Sequence, residues 1–337
     1  MRDRRDFLKI TGAAAAGVLV HSTVPQTAHA LPPLPVNAAT NESMPTRNLG
    51  KTGYRVGVFS LGGQATVEQP NKEAEATAII ERALDLGVNY IDTAAQYGGS
   101  ERWSQRYVGQ VMKRRRKEAY LASKSHDRTR DGSLKLLDES LKLLNTDHLD
   151  AWQMHHMTTM DDVERAFAKG GAIEAFQQAR EQKMVRFLGV TGHTDPDILI
   201  ECLRRFPFDQ ILMAVNAADP HHLSFQEKLL PLAVEKQMGI IGMKIPSRGR
   251  LLSNWPAVGP YAGGKKQAGP LNIKDALYYV LSLPVSTVII GVDTIAQLEE
   301  NVKLAREFTP MSHAQLAALA DKTQPVARDA LFFRRWS

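Results

Sequence analysis

The sequence predicts a single (β/α)8 barrel on three observations. Between about residues 56 and 307 of the 337-residue chain, eight short apolar runs alternate with eight amphipathic stretches. Strands and helices are nowhere segregated into separate blocks, as an α+β fold would require. Neither a G-x-G-x-x-G after the first strand nor a Walker A motif occurs, so a doubly wound nucleotide-binding sheet lacks its phosphate loop. Eight units in roughly 270 residues is the size of a closed barrel.

The elements follow in order. Val56–Leu61 is the first strand candidate, closed by Gly62-Gly63. Ala76, Ile79, Ile80 and Ala83 recur at helical spacing, and Gly87 stands where that helix should stop. Residues 88–91 form the second strand, 101–114 the second helix and 119–123 the third strand; Leu134, Leu137, Leu141 and Leu144 stripe the third helix. Strands are expected at 149–154, 186–190, 210–215, 239–243 and 286–290. Helices are expected near 171–183, 195–205, 224–237, 272–282 and 294–307.

The N-terminus reads as an address. Arg4-Arg5-Asp6-Phe7-Leu8-Lys9 precedes an apolar run over 10–20, too short for the ~20 residues of a spanning helix, so no stable membrane span is expected. Ala28-His29-Ala30 supplies a small-x-small cleavage pattern. The basic motif resembles the twin-arginine export signal, which implies the export machinery as a partner, passage in folded form, a periplasmic destination and cleavage after Ala30. The organisation is then a signal peptide over 1–30, a Pro-rich linker or loosely held arm over 31–46, and a barrel over 47–337.

Composition narrows the function. The formal charge of +6 includes four basic and two acidic side chains in residues 1–30, which leaves +4 for the remainder. That is too little, and too dispersed, to argue for a nucleic-acid partner. Lys113–Lys117 is the densest basic run, and it reads as the solvated C-terminal end of a helix. Cys202 is the single cysteine, which excludes an intramolecular disulfide and multi-cysteine metal sites; on its apolar stripe it reads as buried. The pairs His155-His156 and His221-His222 raise a metal site, but adjacent strand residues point to opposite faces, so no metal is expected.

In such a barrel chemistry gathers at the C-terminal strand ends. The second strand ends at Asp92, the third at Lys124 and the fourth at His155, with Tyr97 in the loop five residues after Asp92. Singly, each has an ordinary reading as a turn, surface or packing residue. Together they bring an acid, an amine, an imidazole and a phenol to one mouth. Carbonyl reduction needs a proton donor at oxygen while hydride reaches carbon. A phenol near pKa ~10 donates poorly until an adjacent ammonium, itself held by a carboxylate, favours its ionised form.

These segments identify a resemblance. Leu49-Gly50-Lys51-Thr52-Gly53, Gly87–Ala94 with Tyr97-Gly98, Asp138–Leu141 with Leu144, Asp147–Asp150 running into Gln153-Met154-His155, and Gln297–Asn301 are together similar to the aldo-keto reductases from Asn48 to about Phe308. The resemblance implies a catalytic tetrad at Asp92, Tyr97, Lys124 and His155, NADP(H) or NAD(H) held across the mouth, and a small carbonyl or alcohol substrate. Gly291, Gln297, Glu300 and Asn301 would hold the adenosine end. Lys244 to Leu251, with Arg248 and Arg250, would run along the pyrophosphate. Thr191-Gly192-His193 stands where the family usually has Ser-Asn against the nicotinamide carboxamide, and Leu212 where it has Gln. Thr191, His193 and Asn216 are the candidate substitutes. Asp293, near the expected 2′-phosphate position, would repel that phosphate, which keeps NAD(H) open beside NADP(H).

Two other readings remain. The altered carboxamide contacts suit a cofactor-binding sensor or regulatory subunit with little turnover. A Lys124 Schiff-base lyase or isomerase leaves Tyr97 without a role.

Overall fold

The computed structural model describes residues 30–254 and 268–336; the expected leader and the middle of the loop near 246–271 lie outside these residues. An antiparallel hairpin, β1 (Thr46–Asn48) and β2 (Arg55–Gly57), precedes the barrel. The barrel strands are β3 (Phe59–Gly62), β4 (Tyr90–Asp92), β5 (Tyr120–Ser125), β6 (Leu149–Met154), β7 (Val185–Gly192), β8 (Gln210–Ala214), β9 (Gly239–Met243) and β10 (Thr287–Ile290). They pair in parallel and in sequence, and β10 closes on β3. The barrel class read from the strand–helix alternation is therefore the observed one.

Helices α1 (Ala38–Ser43), α2 (Glu73–Asp85), α3 (Trp103–Arg115), α4 (Arg130–Leu143), α5 (Met160–Phe167) and α6 (Ala172–Glu181) belong to the first half. Helices α7 (Pro196–Arg205), α8 (Phe225–Glu235), α9 (Ile273–Leu281), α10 (Ile295–Arg306), α11 (His313–Thr323) and α12 (Ala327–Ala330) complete the chain. Among the described residues no helix is long and apolar enough to cross a membrane.

Alternation along each strand sorts side chains into two cores. Inside the barrel, Tyr120 packs on Tyr90 with ring centroids 5.1 Å apart, on Tyr54 at 4.8 Å and on Phe187 at 6.3 Å. The buried hydroxyls of Tyr90 and Tyr120 accept from Gln153 and Gln210, so a polar group is not stranded in the interior. Leu49, from the hairpin, joins this inner cluster beside Gly239 and closes the N-terminal end. Outside the strands, Trp152 stacks on Phe176 of α6 at 4.0 Å.

The structure differs from the sequence reading in four places. The run Val56–Leu61 is two strands: Val56 pairs back to β1, whereas Phe59 onward joins β10 and β4. Both halves are buried, and apolar periodicity does not register a change of partner. The stretch 31–46 is not a loose linker, because Asn37 donates to Leu84 O and Val88 O, Thr40 to Gly87 O, and Val36 N to Lys117 O. Arg186 reaches Pro32 O at 2.5 Å. Residues 156–170, where the sequence pattern places neither strand nor helix, contain α5, opened by a capping box between Thr159 and Asp162. The basic run is not simply solvated: Arg115 pairs with Glu118 and Asp85, and Arg116 reaches the fully buried Asp150 at 2.9 Å.

Candidate active site

Strand register assembles the mouth. Asp92 lies level with Ala122 on the neighbouring strand, and Lys124, two residues further on the same inward face, reaches back to it. Lys124 Nζ donates to Asp92 Oδ2 at 2.5 Å and to Thr93 O at 2.8 Å, with both side chains buried. Burial pushes the Asp92 carboxyl up and the Lys124 ammonium down, while their mutual attraction opposes both shifts.

Tyr97 arrives on the β4–α3 loop. Gly98 makes the turn: its φ is +86°, and a Cβ there would lie 2.5 Å from Trp103 N. The half-buried Tyr97 ring then sits with Lys124 Nζ 4.8 Å from its centroid and the His155 ring 5.8 Å away, edge to face. His155 extends the β6 ladder by donating its N–H to Ser125 O. It is deeply buried, and burial followed by the nearby Lys124 holds its imidazole well below the usual range. The three expected strand-end residues and the loop residue Tyr97 therefore meet at one mouth.

Histidines continue the arc. His156 lies 5.0 Å from His155 and 5.2 Å from His193, ring centroid to centroid. His155 and His156 do not face apart as strand alternation predicts, since both lie beyond Met154, the last residue of β6. Burial keeps His126, His156 and His193 below the usual imidazole range, so the arc is neutral near pH 7. The other pair is structural: His221 bonds Ala320 O, and His222 bonds Arg335 O under the Trp336 ring. Cys202 is buried, and its thiol is pushed up to about 12.

Beside this mouth opens a cavity of about 500 Å³ that reaches from Tyr97 and Asp92, past Lys244 and Arg248, to Gly291 and Asp293. Its size suits a small-molecule ligand. Gly291 permits the close approach of β10 to the β3 end, where a Cβ would lie 2.9 Å from Gln64 O. Lys244 has a φ of +63°. Burial, then repulsion from Arg248, lowers its ammonium to about 7.

The remaining candidates divide. Lys244, Arg248 and Gly291 line the cavity, as does Asp293. Thr191 lies on the inward face of β7, fully buried, and its hydroxyl has no hydrogen-bond partner among the described residues. Asn216 is buried with its amide already engaged, donating to Lys244 O and accepting from Ala218 N. It ties β8 to the Lys244 turn and is absent from the cavity lining. Gln297 accepts from Asp293 N within the cap of α10, Asn301 is buried, and Glu300 is exposed; none of the three lines the cavity. Arg250 turns away to Asp329 and the Phe332 ring.

Sequence reasoning missed Gln64 and Glu68, which line the cavity from the β3–α2 loop. It also missed the C-terminal segment. The Ser312–Gln315 capping box that starts α11 was the available signal for the latter.

A closed barrel with a buried acid–lysine pair, a phenol and an imidazole at the mouth of a long cleft defines a class of small-molecule barrel enzymes. The model of the Aldo/keto reductase family matches residues 55–261, and the chain belongs to that family. A model of the twin-arginine translocation pathway signal sequence matches residues 3–21. The chain is similar to the uncharacterised oxidoreductase YqkF of Bacillus subtilis, 26% identical over 83% of this chain and 97% of that protein. It is also 26% identical to L-galactose dehydrogenase of Arabidopsis thaliana, over 80% of this chain and 90% of that one. Among solved structures, the holo form of aldo-keto reductase AKR11C1 from Bacillus halodurans superimposes with a TM-score of 0.67 at 25% identity, covering 83% and 96% of the two chains.

Proposed function

We propose that the protein is an exported, nicotinamide-dependent reductase or dehydrogenase of small carbonyl or alcohol substrates. The observation that carries this reading is the Asp92–Lys124 pair set against Tyr97 and His155 at one end of the cleft. Tyr97 donates the proton to the carbonyl oxygen. Lys124 stabilises the phenolate left behind, and Asp92 fixes Lys124 in place. His155, neutral, orients the carbonyl. A nicotinamide cofactor bound in the cleft supplies or accepts the hydride.

The residues present fit such a cofactor. The unpartnered Thr191 hydroxyl faces the barrel interior, the cavity of about 500 Å³ extends as far as Gly291 and Asp293, and Lys244 and Arg248 line it with basic side chains. In substrate class, the neutral imidazoles of His126, His155, His156 and His193 suit a polyhydroxylated carbonyl, in keeping with the likeness to L-galactose dehydrogenase. The twin-arginine resemblance supports a periplasmic location with cleavage after Ala30.

The experiment is direct. Purified protein is mixed with NADH or NADPH and a panel of aldehydes, ketones and sugars, and absorbance is followed at about 340 nm. Repeated turnover supports the enzyme; one equivalent oxidised and no more supports the sensor reading.

Two predictions concern the cleft. Lys244 is faced by Arg248, Glu68, Lys124 and Asp92. Its ammonium is present below about pH 7 and lost above it, and an anionic pyrophosphate binds the protonated form. Cofactor affinity should therefore fall as pH rises from 7 to 8.5, approaching tenfold per unit, and Lys244→Met should flatten that profile. A fluorescence titration of NADH across pH reads both. Asp293→Ser should shift the ratio of NADPH to NADH affinity upward about tenfold by removing a carboxylate beside the 2′-phosphate position. An unchanged ratio places that phosphate elsewhere.

A further inference from the structure

The C-terminal segment lies beyond the part of the chain that the family model matches, yet it is built into the mouth. After α12 the chain turns back across three successive loops. Ser247 donates to Ala330 O on the β9 side. Arg335 pairs with Asp195 at 2.5 Å, and its N–H donates to Thr194 O on the β7 side. Phe333 packs on the inner barrel cluster, its ring 6.2 Å from that of His193.

Arg334 is the centre of this segment. Its guanidinium is fully buried, pairs with the fully buried Asp219, and donates to His193 O and to Ala214 O. It also lies over the Phe225 ring at 3.8 Å. One side chain from the chain's end thus grips the turn after β7 and the last residue of β8, more than a hundred positions away. A planar fork with several fixed donors can hold two carbonyls and a carboxylate at once; an ammonium cannot reproduce that geometry.

What it holds still is informative. Thr191 and Gly192 end β7, paired with Leu212 and Met213 of β8, and the Thr191 hydroxyl is fully buried, faces inward and has no hydrogen-bond partner among the described residues. A buried hydroxyl left without a hydrogen bond is costly, so a ligand group that completes it is favoured. Asn216, from the end of β8, is already engaged with backbone. Arg334 thus staples the β7–β8 pair just beyond Thr191, at His193 O and Ala214 O.

We propose that Arg334 is a positioning residue for the nicotinamide end of the cofactor: by clamping His193 O and Ala214 O it fixes the end of the β7–β8 pair so that the Thr191 hydroxyl meets the carboxamide. Arg334 itself touches neither cofactor nor substrate. The inference rests on the cofactor reading above, and its test separates the two.

The test uses NADH and ADP-ribose, which lacks the nicotinamide, titrated into the full-length protein and into three variants. The readout is the ratio of the two affinities in one sample, which does not depend on the fraction folded. Arg334→Lys keeps the charge opposite Asp219 but loses the fork. It should weaken NADH about tenfold and ADP-ribose less than twofold. Thr191→Val should reproduce that change in ratio. Asp219→Asn leaves both carbonyl contacts in place, so it should lower thermal stability and leave the ratio near wild type. Equal weakening of both ligands by Arg334→Lys, an unchanged ratio, or an Asp219→Asn ratio that falls as far as that of Arg334→Lys, overturns the proposal in favour of a purely structural clamp. If wild-type protein binds ADP-ribose but Thr191→Val leaves the ratio unchanged, Thr191 is not the contact and the proposal fails while the cofactor reading stands. If wild-type protein binds neither ligand, the cofactor reading itself fails.

Discussion

Replacing Tyr97 by phenylalanine is expected to lower turnover by a factor of about 10²–10⁴, the usual contribution of a positioned general acid. The substitution removes one oxygen. The ring contacts to Lys124 at 4.8 Å and to His155 at 5.8 Å involve the ring itself and remain available. Cofactor affinity should therefore stay within about twofold of wild type, and so should thermal stability, as for a substitution that opens no large cavity. Steady-state reduction of the best aldehyde from the panel, paired with a cofactor titration, checks both halves. Turnover near wild type would show that the proton comes from His155 or water, and the assignment of Tyr97 would fall. A parallel loss of cofactor affinity would mean that the hydroxyl serves binding instead.

Replacing Asp92 by leucine is expected to cost about 3–5 kcal/mol of stability, because it strands a buried ammonium. Lys124 would keep only Thr93 O among the partners it has now. The sign of the pH dependence follows from linkage. Burial lowers the Lys124 ammonium from its ordinary value of 10.5, so the unfolded chain binds more protons than the folded one in that range. Stability of the variant should then rise with pH toward that ordinary value. Adding Lys124→Met to Asp92→Leu should recover most of the lost stability, since an apolar pair of similar volume replaces the charges. The double variant should remain inactive. Urea melts at several pH values, with turnover measured on the same preparations, separate the two roles. A single Asp92→Leu variant as stable as wild type would mean that the pair is solvated in solution.

The barrel was legible because its helices and strands bury one face each, and that requirement writes a period into the sequence. The cluster at the mouth was legible for a related reason: Asp92, Lys124 and His155 each end an apolar run, and in a parallel barrel those ends share one mouth. What escaped the sequence was set by partners rather than by pattern. Val56–Leu61 changes partner in mid-run without a change of polarity. Asn216 reads as a free amide until Lys244 O and Ala218 N are found to occupy it. Arg334 is one of two adjacent arginines in an aromatic-rich segment, and only the fold reveals that it pairs, buried, with Asp219, 115 residues away.

The closure of β10 on β3 has a consequence for the order in which the protein is made. The first barrel strand has an unsatisfied edge until Thr287–Ile290 has been synthesised, and the mouth is unclamped until Arg334 follows. Because synthesis runs from the N-terminal side, a nascent chain carries the twin-arginine signal well before β10 and Arg334 exist. A chain that stops early carries the destination label on an open sheet with exposed apolar edges, a state prone to aggregate. Closure of the barrel and clamping of its mouth therefore both wait on residues synthesised after Ser286.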